Sequence, residues 1–282
     1  MKPPIKLPEN YNYVAAFITL RCNLACPYCI NRQGEFIPRI EMGAQEWFDG
    51  LSRIETREDL PITLQGGEPT THKEFYQLVN MLHAAGKHLD LLTNGQFDVY
   101  DFMAKVGTSV FKRQAPYASI RFSFHMGMNP NELAKKVYTL KQKDYSVGIW
   151  ALNHPDMICE NSEMRAICEE VDIDFRMKEY LDDTHGTYKY PDAITGHKNF
   201  NVLCHPSELL IAPDGLIHGC HSLLYAGCES LLHINDELIS FDEARLCEYY
   251  GTCNPCDVKI KTNRLQQGGH TSVKIERLNK HA

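Results

Sequence analysis

The sequence predicts an α/β protein: a parallel sheet, open or curled toward a barrel, followed by a small cysteine-rich module. Three observations predict it. Apolar runs of strand length alternate with stretches of helical period through roughly residues 11–200. The glycine-rich and polar stretches fall after strands. The cysteines gather in two groups, one after the first strand and one after the alternation ends.

Taken in order, Tyr11–Leu20 reads as a buried strand. Gly43–Ile54 reads as an amphipathic helix, with Trp47, Leu51 and Ile54 at i, i+4 and i+7. Leu60–Gln65 is a short strand stopped by Gly66-Gly67. Phe75, Leu78, Val79 and Leu82 mark a helix that Gly86 ends. His88–Thr93 is a strand closed by Asn94-Gly95. A helix over Phe97–Lys105, a strand over Ser119–Phe124 and a helix through Leu133, Val137 and Leu140 follow. Then come a strand over Ser146–Leu152, a helix through Met164, Ile167, Cys168 and Val171, and a strand over Ile173–Met177. Such units give six βα repeats, whose sites lie at the carboxyl ends of the strands. Around Asp182–Asn199 the pattern dissolves, as in a linker or active-site loop.

With 29 Lys and Arg against 36 Asp and Glu, the net charge is −7. A basic face for nucleic acid or a membrane surface is not indicated. At 43% hydrophobic and 23% charged the chain can bury a core. Tyr13–Leu20, the longest apolar run, is far short of a membrane span, and the amino terminus has no apolar signal core. We read a cytoplasmic protein. Eleven cysteines are many for that compartment, and an odd number cannot all pair; clustering then suggests metal ligation.

Cys22, Cys26 and Cys29 stand at C-x3-C-x2-C. Three ligands from one short loop leave a coordination position open, whereas closed structural sites use four. A zinc site completed by a distant histidine is the other reading. Gly66-Gly67-Glu68-Pro69-Thr70 follows the second strand. Its glycines admit close approach to the backbone, and Glu68 offers an acceptor to a ligand amine. An ordinary strand-to-helix turn, with Pro69 near the helix start, is the plain alternative. Arg121, Ser123 and His125 alternate and share one face of their strand.

Together these motifs resemble the radical S-adenosylmethionine (SAM) superfamily. The resemblance implies a partial (β/α)6 TIM-type barrel over residues 1–200. It implies a [4Fe–4S] cluster on Cys22, Cys26 and Cys29, with SAM on the fourth iron. It places Gly66, Gly67, Glu68 and Pro69 along the methionyl amine and Tyr28 near the adenine. Asn94 and Ser123 become SAM contacts and Arg176 a candidate for its carboxylate. His125 stands where relatives carry an acid, so it is either a substrate contact or a strand-end histidine.

Farther on, Cys204, Gly215 and Cys220 precede the pair Cys253-Asn-Pro-Cys256. Leu209–Ile217, turning at Pro213-Asp214-Gly215, reads as a hairpin that brings Cys204 and Cys220 together. The pair would complete a four-thiolate site. This resembles the Twitch form of the SPASM extension, implying an auxiliary [4Fe–4S] cluster within a β-hairpin/helix module over 201–260. A zinc ribbon is the alternative. The polar tail, 261–282, reads as disordered.

Cys228 is a candidate hydrogen donor to a substrate radical, as is Cys159. Cys228 and Cys247 otherwise read as packed thiols, and Cys168 as core. His205, His218 and His221 read as surface residues. About ten residues precede the first strand, too few for a leader-binding domain. The expected partners are therefore a small-molecule substrate, or a peptide presented by a separate protein, and an electron donor such as flavodoxin or ferredoxin. Twitch relatives include dehydrogenases, epimerases and cyclases; we expect a two-electron oxidation. A non-catalytic iron–sulfur or zinc protein is the alternative from another class.

Overall fold

The computed structural model describes residues 2–32, 40–56, 60–113, 115, 117–180, 202–228, 230–241, 244–247, 249–251, 253 and 273–278. Its strands are β1 (Ile5–Lys6), β2 (Tyr13–Thr19), β3 (Ile54–Glu55), β4 (Ile62–Gly66), β5 (Leu89–Thr93), β6 (Ile120–Phe124) and β7 (Val147–Asn153). They continue with β8 (Asp174–Glu179), β9 (Val202–Pro206), β10 (Glu208–Ile211), β11 (Ile217–His218), β12 (Arg245–Leu246) and β13 (Val273–Arg277). The helices are α1 (Ala44–Leu51), α2 (Phe75–Ala84), α3 (Val99–Lys105), α4 (Pro130–Lys141), α5 (Ile158–Glu170) and α6 (His221–Tyr225).

One sheet runs β11-β10-β2-β4-β5-β6-β7-β8. Every pair in it is parallel except β10 with β11. The fold is therefore α/β on a large, mostly parallel sheet, a partial barrel of the TIM type. β2 is buried on both faces from Val14 to Thr19, as a parallel strand covered on both sides must be. The helices follow the expected stripes: α2 buries Phe75, Leu78, Val79 and Leu82, and α4 buries Leu133, Ala134, Val137 and Leu140. Asp98 caps α3 by accepting from the amides of Tyr100 and Asp101. Asn129 does the same for α4, where Pro130 takes the first helical position. Gly86, at φ +74°, ends α2.

Helix α1 stops at Leu51, short of the predicted Ile54. Tertiary contacts decide this. Arg53 donates to the carbonyls of Pro3, Ile234, Asp236 and Glu237, and Ile54 pairs in register with Ile5. The expected hairpin forms as β10 and β11 around Gly215, at φ +84°. Its first strand also joins the barrel sheet: Glu208 lies opposite Tyr13 and Ile211 opposite Ala16. A second, three-stranded sheet has the order β12-β9-β13. Part of the tail expected to lack structure is thus a strand, Val273–Arg277, paired with Val202–Pro206. The stretch around 182–199 lies outside the described residues. Among the described residues no helix is long and apolar enough to cross a membrane.

Near the amino ends of the strands a buried charge cluster braces the barrel. The Asp90 carboxylate pairs with Arg113 at 2.5 Å and Arg121 at 3.2 Å, and all three are buried. Both guanidinium groups lie over the ring of Tyr117.

Candidate active site

A cavity of about 240 Å³ opens at the carboxyl ends of the parallel strands. Cys22, Cys26 and Cys29 line it together, each half-buried. Burial, then the neighbouring thiols Cys29 and Cys22, pushes the Cys26 pKa up. Two donors point at one sulfur: the amide of Leu24 lies 3.3 Å from Cys22 Sγ, and Asn94 Nδ2 lies 3.7 Å away.

The loop after β4 is welded to this thiol loop. Gly67 N donates to Thr19 O at 2.9 Å, and Glu68 N donates to Arg21 O at 2.8 Å. A Cβ on Gly66 would stand 1.9 Å from Thr19 O, and one on Gly67 2.1 Å from Arg21 O. Both glycines line the cavity, so they admit the first loop's backbone as well as any ligand. The Gly66 carbonyl accepts from Asn31 Nδ2, and Asn31 Oδ1 accepts from Tyr225 of α6 at 2.5 Å.

Glu68 is held within the loop itself. Its side chain is buried. One oxygen accepts from Thr70 N (3.0 Å), Thr70 Oγ1 (2.6 Å) and Thr93 Oγ1 (2.8 Å); the other accepts from Asn94 N (2.7 Å). Burial still pushes its pKa up against these hydrogen bonds. Glu68 holds the end of β5 against the loop after β4, and thereby sets Asn94 beside Cys22. Pro69 is buried at the start of a short 3-10 turn and does not line the cavity.

Ser123 and His125 line the cavity, while Arg121, on the same face, lies in the Asp90 cluster below. Tyr28 lines it too, with ring centroids 6.1 Å from His125 and 5.4 Å from His154. Its hydroxyl accepts from Met126 N at 2.9 Å and lies 3.4 Å from His125 Nδ1. Burial takes the Tyr28 pKa up to about 12 and the His125 pKa down to about 4, so both are neutral at pH 7.

Arg176 does not reach the cavity. Its Nε donates to both carboxylate oxygens of Asp174 (3.1 and 2.9 Å), and its guanidinium lies over the ring of Trp150. The cation of β8 that lines the cavity is Lys178, with Tyr180 beyond it. Sequence reasoning missed both. The signal was present: Arg176, Lys178 and Tyr180 alternate, and the later positions lie nearer the carboxyl end, where sites collect.

The candidate hydrogen donors also lie elsewhere. Cys228 is 3.0 Å from the Tyr249 hydroxyl and does not line the cavity; Cys159 is exposed on α5. Cys168 is core, as expected.

A second thiol group forms beside the small sheet. Cys204 on β9 packs with Cys247 and Cys253 in one buried cluster. The nearby Cys220 thiol raises the Arg245 pKa against its burial. The shared proton raises the Cys204 pKa and lowers that of Cys247. Cys247, expected as a mere packed thiol, lies inside this group, and Cys256 lies outside the described residues. His218 and His221 are buried rather than on the surface: burial lowers the His218 pKa to about 4, and His221 Nδ1 lies 3.7 Å from Glu208.

Comparison with known proteins agrees with this geometry. The radical SAM superfamily model matches residues 17–113, which include all three cavity cysteines, Gly66-Gly67-Glu68-Pro69 and Asn94. The mycofactocin maturase MftC of Mycolicibacterium smegmatis is 32% identical over 92 residues, 33% of this chain and 23% of that protein. The PqqA peptide cyclase of Ruegeria pomeroyi is 34% identical over 93 residues, 33% of this chain and 25% of that one. The match thus spans about a quarter of the length of these curated relatives. Among solved structures, Streptococcus suis SuiB bound to S-adenosylmethionine superposes with TM-score 0.55 at 15% identity, over 84% of this chain and 63% of that one. The enzyme anSMEcpe with bound AdoMet and the Kp18Cys peptide superposes with TM-score 0.54 at 15% identity, over 83% and 78%. The segment that contains the thiol loop and the loop welded to it thus matches the radical SAM superfamily over residues 17–113, on a barrel fold shared with these structures.

Proposed function

We propose that the chain is a radical SAM enzyme that oxidises a residue of a peptide by two electrons. The observation that carries this reading is the meeting of three thiols, and among the described residues no fourth, on one cavity with the Gly66-Gly67 backbone. The donor set fits a [4Fe–4S] cluster: sulfur ligands, two N–H donors aimed at Cys22 Sγ, and a crowded Cys26 thiol that a cationic core would relieve. When bound, that cluster supplies the electron that cleaves SAM to methionine and a 5′-deoxyadenosyl radical.

The protein's own residues bind and orient. The Gly66-Gly67 backbone takes the methionyl end of SAM, Asn94 and Ser123 contact its polar groups, and Tyr28 packs against the adenine. Lys178, rather than Arg176, takes the carboxylate, because Arg176 is committed to Asp174. His125 is neutral at working pH, and its ring can accept the proton that leaves an oxidised substrate. An auxiliary [4Fe–4S] cluster on the C-terminal thiols would supply an acceptor for the second electron. Flavodoxin or ferredoxin supplies the first electron in the cytoplasm.

Two features favour a peptide over a small molecule. The matched relatives include a PqqA peptide cyclase, and SuiB is also known bound to the precursor peptide SuiA. In addition β8 is an edge strand among the described residues and ends at cavity-lining Lys178 and Tyr180, so an extended chain can pair along it.

The test is anaerobic reconstitution followed by iron and sulfide analysis and a dithionite assay for 5′-deoxyadenosine. Two clusters give about eight irons per chain, and replacing Cys22, Cys26 and Cys29 together by alanine leaves about four. Stoichiometric zinc without 5′-deoxyadenosine would make this a metal-stapled binding protein instead.

A further inference from the structure

A second cavity, of about 440 Å³, opens at the amino ends of the strands, away from the thiol loop. Leu89 lines it where β5 begins, while Leu92, Thr93 and Asn94 line the first cavity where β5 ends. The run of strand from Leu89 to Thr93, roughly 13 Å long, separates the two. The polar walls of the second cavity are His83, His88, Ser109, Lys112 and Arg113, and no acidic side chain lines it among the described residues. Each of these five side chains can donate a hydrogen bond. Ser109 Oγ lies 3.1 Å from His83 Nε2. The ion pair of Lys112 with Asp144 is long, 3.9 Å between exposed side chains, and holds the lysine weakly. The last carbonyls of α2 do not oppose an anion here: those of Met81, Leu82 and His83 accept from the amides of Ala85, Lys87 and Gly86. Gly86 leaves the mouth open, since nothing lies within 4 Å of where its Cβ would stand.

Arg113 supplies an independent observation. It lines this cavity and also belongs to the buried charge cluster. Its side chain is 5% exposed, and its Nε and Nη1 have no hydrogen-bond partner among the described residues. A buried donor without an acceptor is costly. The cluster sets two guanidinium groups, Arg113 and Arg121, against the one carboxylate of Asp90. It carries a positive charge in excess, buried where an uncompensated charge is destabilising. The ring of Tyr117 offsets part of it. An anion in the adjoining cavity would offset the rest.

We propose that this cavity binds phosphate, with Arg113 as the buried anchor and Lys112, His88, His83 and Ser109 around it. The donors stand on separate segments, the end of α2, the start of β5 and the 3-10 turn over Thr108–Phe111 with the chain that leaves it. That arrangement suits a tetrahedral oxyanion better than a planar carboxylate. No Phe, Tyr or Trp side chain lines the cavity, so nothing there stacks on a nucleobase. The ligand is inorganic phosphate or the phosphoryl group of a small ester.

The test is calorimetric titration of the full chain, purified without phosphate, at an ionic strength fixed with chloride. The probes are inorganic phosphate, glycerol 3-phosphate and acetate. We expect saturable binding of a phosphate probe and a melting temperature that rises with its concentration. Lys112→Ala combined with His88→Ala should weaken binding by about tenfold or more; both side chains are exposed, so the fold tolerates their loss. Arg113→Gln should abolish it, and if that variant does not fold the double variant still decides. Tighter binding of inorganic phosphate marks the free ion as the ligand, and tighter binding of the ester marks a phosphorylated small molecule. No saturable binding of either phosphate probe, binding unchanged in the double variant, or acetate bound as tightly as phosphate overturns the proposal.

Discussion

At residue scale, Glu68 organises the site through the loop after β4. Its carboxylate gathers two threonine side chains, the Thr70 amide and the amide of Asn94. Glu68→Ala should therefore weaken SAM binding to the reconstituted protein by about tenfold and lower stability by about 1–3 kcal/mol. Calorimetric titration with unaltered affinity would refute this positioning role. His125 makes a second prediction. Its pKa falls from 6.5 unfolded to about 4 folded because it is buried. Between those values the unfolded chain binds the proton and the folded chain does not, so stability drops as pH falls through that window. We expect a loss on the order of 1 kcal/mol from this group by pH 4, allowing for its partial exposure. Denaturant titrations should show the pH slope flattened in His125→Gln, with the remainder attributable to His218, whose pKa is lowered in the same way.

At the scale of elements, the loops after β2 and β4 act as one piece. Gly67→Ala forces a Cβ against the Arg21 carbonyl, which cannot yield. We expect a loss of about 3 kcal/mol or more in chemical denaturation, together with loss of the iron bound by Cys22, Cys26 and Cys29. Gly86→Ala is the control: its φ is also positive, but nothing lies within 4 Å, so only about 1–2 kcal/mol of backbone strain should appear. Asp90→Asn should cost about 3–5 kcal/mol in the same assay, because it leaves Arg113 and Arg121 buried without a counter-charge. Much of this level was legible in the sequence. Helical stripes such as Phe75–Leu82 and the buried run of β2 are local patterns, and they landed within a residue or two. The surroundings of Ile54, Arg176 and Glu68 were not legible, for one shared reason. Each is decided by partners distant in sequence or by which end of a strand a residue occupies, and periodicity reports neither.

At the scale of the whole molecule, the second half of the chain completes the first. β10 covers the edge of β2, and Tyr225 of α6 orients Asn31 beside the thiol loop. A fragment of residues 1–200 would leave the long, apolar β2 with an open edge. We expect that fragment to aggregate, and a soluble, cooperatively unfolding 1–200 would contradict the dependence. The family resemblance and the thiol loop could be read from a dozen residues, because C-x3-C-x2-C and Gly-Gly-Glu-Pro are contiguous. The grouping of Cys247 with Cys204 could not, because it arises from an antiparallel pairing between distant strands. The β2–β10 pairing also carries a cost in time. Tyr13 leaves the ribosome long before Glu208 is made; at about 5–20 residues per second the delay is roughly 10–40 s. Throughout it the newborn chain displays one open, apolar edge of β2, just before the loop that bears the three thiols. Metal delivered before the last third of the chain emerges would meet a half-built cradle.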